Sequence, residues 1–223
     1  SQPVQRPLER LGSAGTACLY SGPDGYDPEG YGAVLQPIEW AFGSSIVLGR
    51  RKFHEPGATH DESRSAEADI LLIDVSNPDR KRLAEVKFLL WDKFRVDSAR
   101  FEHSWDYEEY CRLAGPAYHA LSALADREGE AGPPAVVIAH EFMGLATALR
   151  CSLNRGRFRT VFHAHECSTA RRVCEALPGH DTAFYPALRA ARAKGQYLEE
   201  VFGPQGDFAR HALVSMAHRL DLS

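Results

Sequence analysis

The sequence predicts an α/β fold in which a parallel sheet presents chemistry at its strand ends, and three stretches predict it. PAVVIAH (Pro134 to His140) and RTVFHAH (Arg159 to His165) are short continuous apolar runs, the pattern of strands buried on both faces. Between them GLATALRCSL is rich in helix formers and stops at Asn154 to Gly156, where asparagine and glycine suit a helix end. Buried strands joined by a helical crossover should be parallel, with a right-handed connection. The third stretch, ADILLIDVS (Ala68 to Ser76), is another buried run that leads into a helix-patterned segment.

Taken in order, Ser1 to Gly15 contains Pro3, Pro7 and LERLG, a helix end, and Thr16 to Gly22 reads as a strand. Residues 22 to 45 read as loop, because GPDGYDPEGYG is dense in turn formers. Its tyrosines could stack on sugars or pin a long loop to its own domain. Ser44 to Phe53 alternates weakly, as a strand or hairpin arm does. His54 to Ala68 is polar and reads as an exposed turn; His54, His60 and Asp61 fit no standard metal-ligand spacing. After the third apolar run, Asn77 can cap a helix and Pro78 can occupy its first position. Leu83, Val86, Leu90 and Phe94 then mark one helical face.

A second helix is predicted from Tyr107 to Asp126, around Tyr110, Leu113, Ala114, Ala117, Leu121 and Leu124, with Gly115-Pro116 kinking or dividing it. Glu128 to Pro134 reads as a linker. Past the second strand, Ser168 and Thr169 can cap STARRVCEAL, which stops at Pro178-Gly179. Asp181, Phe184, Tyr185 and Leu188 suggest a short helix. Arg189, Arg192 and Lys194 behind it form a basic face that could bind phosphate but more commonly lies in solvent. Phe208 to Leu220 is predicted as a final amphipathic helix with His211 and His218 on one face, in packing or capping roles.

Composition bounds the class. With 223 residues, 44% hydrophobic and 25% charged, the chain suits a single domain spanning 1–223. A formal net charge of -4 argues against nonspecific nucleic-acid binding. No apolar run approaches the ~20 residues of a membrane span, and no signal-peptide pattern opens the sequence. The five cysteines (18, 111, 151, 167 and 174) form no CxxC pair, the usage of reduced thiols in a cytoplasm. Cys167 follows a candidate site histidine at a helix start, where a thiolate would be stabilised, although a small packing residue is the commoner role at such a position.

Both predicted strands of the central stretch end on His-Glu, at His140-Glu141 and His165-Glu166. The carboxyl ends of neighbouring parallel strands open onto the ligand crevice of such sheets, so the two pairs should face one cleft. Singly, each pair is only a histidine before a helix with a glutamate favoured by the helix dipole. At matched positions they read as a site. His163 lies two residues from His165, hence on the same strand face, where it could orient His165 or simply pack.

These residues carry a resemblance. VVIAHEFMGLATAL is similar to the strand end written His-Glu-Trp-Met-Gly in glycogen and starch synthases, and RTVFHAHECSTARR resembles the next strand of that family. The tail, DFARHALVSMAHRLD, resembles the helix leading to its second domain. The resemblance covers about the last half of the chain. It implies a Rossmann-like parallel sheet with helices on both faces, the amino-terminal half of a GT-B retaining glycosyltransferase of cytoplasmic carbohydrate metabolism. It further implies a nucleotide sugar such as ADP-glucose or UDP-glucose as donor, an oligo- or polysaccharide acceptor, and no cofactor, metal, nucleic acid or membrane.

His165 matches the family histidine that holds the reacting sugar. His140, Glu141, Gly144, His163, Glu166 and Arg171 fall at positions implied to touch substrate or shape the cleft. Glu166 and Phe142 replace residues usual in the family. The family's first strand and its Lys-Thr-Gly-Gly-Leu loop have no counterpart in the sequence, nor has the carboxy-terminal Rossmann domain that holds the nucleotide. The resemblance therefore implies an isolated chain that is inactive. Two alternatives stand beside it. One is a non-catalytic carbohydrate-binding or docking domain. The other is a PD-(D/E)xK-type nuclease using Asp74, Glu85 and Lys87, which needs Glu85 and Lys87 side by side on a strand; the helical pattern there opposes it.

Overall fold

The structure, a computed structural model, describes residues 16–54, 65–128, 133–165 and 167–222. It is mixed α/β and divides into two compact units, Ser1–Arg82 with His119–Gly129 and Leu83–Tyr118 with Glu130–Ser223. No helix among the described residues is long and apolar enough to cross a membrane.

The first unit holds an antiparallel meander of β1 (Thr16–Ser21), β2 (Ser45–His54) and β3 (Ser65–Asp74). Its register sets Ile46 opposite Ile73 and Leu48 opposite Leu71. The third apolar run is therefore a strand, but one of an antiparallel sheet. A continuous apolar run looks the same in either setting; Arg50 opposite Asp69 and Lys52 opposite Glu67 supply the cross-strand pairs that fix this one.

Residues 22 to 45 are not all loop, because α1 (Gly32–Phe42) lies among them. The Asp27 carboxylate accepts from the backbone N–H groups of Tyr31 and Gly32, satisfying donors at the helix start. Leu35 and Ile38 then bury one face against Leu19, Tyr20, Ile46 and Leu48. Glu39 is buried beside them. It accepts from the Tyr20 hydroxyl at 2.5 Å and the Ile46 N–H at 2.6 Å. His60 and Asp61 lie outside the described residues, as does the predicted helix end before Gly15.

α2 (Arg80–Phe94) buries Val86, Leu90 and Phe94 in the core of the second unit, three of the four positions marked by periodicity, with Leu83 packed against the same core. Glu85 and Lys87 sit on this helix, and Lys87 is paired with Glu102 and Glu108. α3 (Trp105–Glu128) runs unbroken through Gly115-Pro116, with Pro116 fully buried. Core packing holds this proline inside the helix, so the pair expected to kink or divide it does not divide it.

β4 (Ala135–His140), α4 (Glu141–Ser152) and β5 (Phe158–His163) form the predicted strand–helix–strand, with the two strands parallel and His140 paired to His163. The parallel sheet is limited to these two strands among the described residues. Leu145, Ala146, Ala148 and Leu149 of α4 are fully buried and pack with Ala139, Leu90 and Leu213. β4 is not buried on both faces: Val136 and Ile138 are 62% and 53% exposed.

β5 ends at His163, two residues short of the predicted end. Its backbone also bonds the chain near Leu222: the Phe162 N–H donates to Leu222 O and the Leu222 N–H to Thr160 O. Beyond β5 come α5 (Ser168–Ala176), α6 (Asp181–Ala193), α7 (Leu198–Phe202) and α8 (Ala209–Val214). The final predicted helix is broken after Val214, and a 3-10 turn over Ala217–Arg219 follows. His211 and His218 are thus on separate elements. His211 bonds Thr169 and Glu199, while His218 bonds the Ser215 carbonyl.

Candidate functional site

The site grows from the turn between β4 and α4. His140, the last residue of the strand, caps the helix in an extended conformation, and Glu141 follows at φ +55°. A glutamate in the left-handed region costs about 1 kcal/mol or more, a cost found where the surroundings dictate the backbone. Gly144 permits the tight entry. A Cβ there would lie 2.8 Å from Ala139 Cα, so the helix packs this close to its own strand only without a side chain.

Glu141 is 8% exposed, and its Oε1 accepts from the backbone N–H of His165. That bond ties the turn after β5 to the start of α4. The parallel register already sets His140 opposite His163, and the clamp brings in the third ring. His140 Nδ1 lies 2.8 Å from His165 Nε2, and these two rings are nearly parallel with centroids 5.1 Å apart. The His163 ring centroid is 4.1 Å from that of His165 and 5.2 Å from that of His140. All three side chains are exposed.

Of the predicted site residues, His140, Glu141, His163 and His165 therefore meet at one place, and Gly144 shapes it. His165 joins from a bend beyond the strand, not from the strand itself. Arg171 sits one helix turn into α5, paired with Glu175 at 2.7 Å. It lines two cavities. One, of about 460 Å³, is bordered by His165, Cys167 and Tyr185; the other, of about 740 Å³, by Glu141, Phe142 and Arg210. Glu166 lies outside the described residues.

The N-cap of α5 is Cys167, the residue before the predicted caps, and neither Ser168 nor Thr169 caps the helix. Thr169 instead shares a 3.0 Å hydrogen bond with His211 Nδ1, whose Nε2 is 2.9 Å from Glu199. Hydroxyl, imidazole and carboxylate are ordered as in a nucleophile–base–acid set. Thr169 is only 3% exposed, however, which closes its hydroxyl to solvent. The network braces α5 behind the site. Sequence gave no signal of it, because its members are separated by 42 residues or belong to a helix, α7, without a marked pattern.

Cys111 and Cys151 take no part in this chemistry. Burial pushes Cys111 and Cys151 up to about 12, so both stay protonated and inert. No family model matches the chain. No curated protein matches it either.

Proposed function

We propose that the chain is the acceptor-side, Rossmann-like half of a GT-B retaining glycosyltransferase. It would move a sugar such as glucose from a nucleotide donor to a glucan or related acceptor. What supports this reading is the convergence of His140, His163 and His165 at the carboxyl ends of two parallel strands, the place where such sheets receive ligands. The HEFMG and TVFHAH motifs supply these same residues.

In this reading the exposed imidazoles offer ring nitrogens to sugar hydroxyls. His165, fixed by Glu141, holds the donor sugar with its anomeric carbon in line with the acceptor oxygen. As the bond to the diphosphate breaks and that to the acceptor oxygen forms, the sugar becomes cation-like. Orientation and fixed local dipoles favour that state over the ground state. The donor's nucleotide and diphosphate belong to a facing Rossmann domain. The chemistry calls for no metal.

The test is transfer of labelled glucose from ADP-glucose and UDP-glucose to a glucan primer, by the chain and by the full product of its gene. Malto-oligosaccharide binding to the chain is followed in parallel by NMR. The reading expects transfer by the full product that falls about 100-fold in His165→Ala, and oligosaccharide binding by the chain that His140→Ala weakens. Binding without transfer by either protein would favour a carbohydrate-binding domain. Neither binding nor transfer would end the sugar reading.

A further inference from the structure

We propose that His140, His163 and His165 form a tri-histidine site for a borderline divalent transition-metal ion of the Zn²⁺ class. A ligand nitrogen of each ring lies within 4.8 Å of those of the other two. An ion bound tetrahedrally at about 2.0–2.1 Å from each nitrogen needs them roughly 3.3 Å apart. The His140–His165 pair, at 2.8 Å, must open slightly, and the remaining separations, none above 4.8 Å, need close by no more than about 1.5 Å. All three rings are exposed, so rotations about the side-chain torsions meet little packing resistance.

The backbone supports the arrangement. His140 and His163 are register partners on parallel strands, and His165 is held by the Glu141 carboxylate through its own N–H. Ligands fixed by a strand ladder keep their places better than ligands on loops. The ligand set is all imidazole, which suits Zn²⁺, Ni²⁺ or Cu²⁺ and gives Mg²⁺ or Ca²⁺ nothing they prefer. The start of α4 carries about half a positive charge. Glu141, at the first position of that helix, sets a full negative charge against it.

Binding through His140 Nδ1 and His165 Nε2 replaces their shared hydrogen bond. Each neutral ring then keeps its proton on the nitrogen facing away from the ion. Three ligands leave the fourth position open to water or to a ligand hydroxyl. The site stands whether or not the chain handles sugars. Because it uses His165, an ion and a sugar would exclude one another at that ring.

The test is titration of the chelator-stripped chain with Zn²⁺ by calorimetry and with Co²⁺ by visible absorption. The proposal expects one equivalent bound, with four-coordinate Co²⁺ bands and no thiolate charge-transfer band. Alanine at 140, 163 or 165 should each weaken binding beyond the 10–100-fold that loss of an outer-shell partner costs, about 100-fold or more. Cys167→Ser and His180→Ala, a thiol and an imidazole that border the 460 Å³ cavity with His165, should bind as the parent does. Far-UV dichroism and an unchanged metal-free melting temperature identify variants that have kept their fold, and Zn²⁺ should raise the melting temperature of the parent but not of His163→Ala. Absence of a one-to-one complex, a thiolate band, or parental affinity in folded His163→Ala would overturn the proposal. Oligosaccharide binding measured in chelator separates its failure from failure of the sugar reading.

Discussion

Among the buried glutamates, Glu39 in the first unit and Glu141 in the second are equally hidden from solvent and do opposite work. Glu39, on α1, accepts from the Tyr20 hydroxyl and the Ile46 N–H, and both bonds end inside the core. Glu141, at the start of α4 with φ +55°, accepts from the main chain of His165 and holds an exposed imidazole beside two others. Each is 8% exposed. Burial of a carboxylate therefore does not distinguish scaffold from site. The distinction lies in what the carboxylate holds, and in whether the backbone departs from its ordinary conformation to hold it.

The sharpest way to break the comparison is to remove each glutamate. Glu39→Ala leaves the Tyr20 hydroxyl and the Ile46 N–H buried without an acceptor, at about 1–3 kcal/mol each, so the loss should be about 2–6 kcal/mol in urea unfolding. Affinity at the histidine cluster should be unchanged in the protein that stays folded. The next largest effect is Gly144→Ala. Its methyl would sit 2.8 Å from Ala139 Cα and force α4 away from β4, costing about 1–3 kcal/mol as overpacked cores do. Unlike Glu39→Ala, it should also weaken ligand and metal binding, because the turn that carries His140 moves with the helix. A Gly144→Ala protein with parental binding would detach the turn from the site.

Glu141→Gly should show the reverse of Glu39→Ala. Glycine takes the left-handed conformation without penalty, so relief of strain offsets much of the lost hydrogen bond and stability should change by less than about 1 kcal/mol. The affinity for Zn²⁺ or oligosaccharide should fall about 10–100-fold, the cost of losing a residue that orients a ligand-holding side chain. If Glu141→Gly instead unfolds as Glu39→Ala does, the two carboxylates are alike and Glu141 is scaffold.

What was legible in the sequence follows the same divide. β4, α4 and β5 announced themselves through continuous apolar runs and a clean helix stop, and α2 through Val86, Leu90 and Phe94. α1 was hidden because Pro37 and the turn formers before Gly32 outweighed the pairing of Leu35 with Ile38 and Glu39, which needs the opposing β1–β2 surface to have meaning. The antiparallel partners of Ile70 to Ile73 were equally hidden, since strand direction is set by long-range pairing and by charges across from one another. At the site, the His-Glu strand ends pointed to His140 and His165. The closeness of all three rings depended on the parallel register, which aligns residues 23 apart and leaves no local signature.

The smallest effect tests how the two sheets are braced. β2 and β3 carry exposed charge pairs along their length, whereas β5 is held on one side by β4 and on the other by the strap at Asp221 and Leu222. Asp221 Oδ2 accepts from the Thr160 N–H at 2.9 Å and the Thr160 hydroxyl at 3.0 Å, with Arg155 3.8 Å from its other oxygen. The Thr160 N–H, then its hydroxyl, and Arg155 hold this carboxyl below the usual range. A carboxyl depressed in the folded state stabilises the protein above its unfolded value of about 3.9, and that contribution fades as pH falls through 4 towards the folded value. The group is partly exposed, which limits the contribution to about 1 kcal/mol. Asp221→Asn should therefore be less stable than the parent by about that much near pH 7, and the two urea midpoints should converge as pH falls below 4. Parallel curves from pH 7 to pH 3 would mean that the strap acts through Leu222 alone. Arg50→Ala, by contrast, should leave the urea midpoint almost unchanged, because the pair is exposed and β2 is already paired along its length by both neighbours.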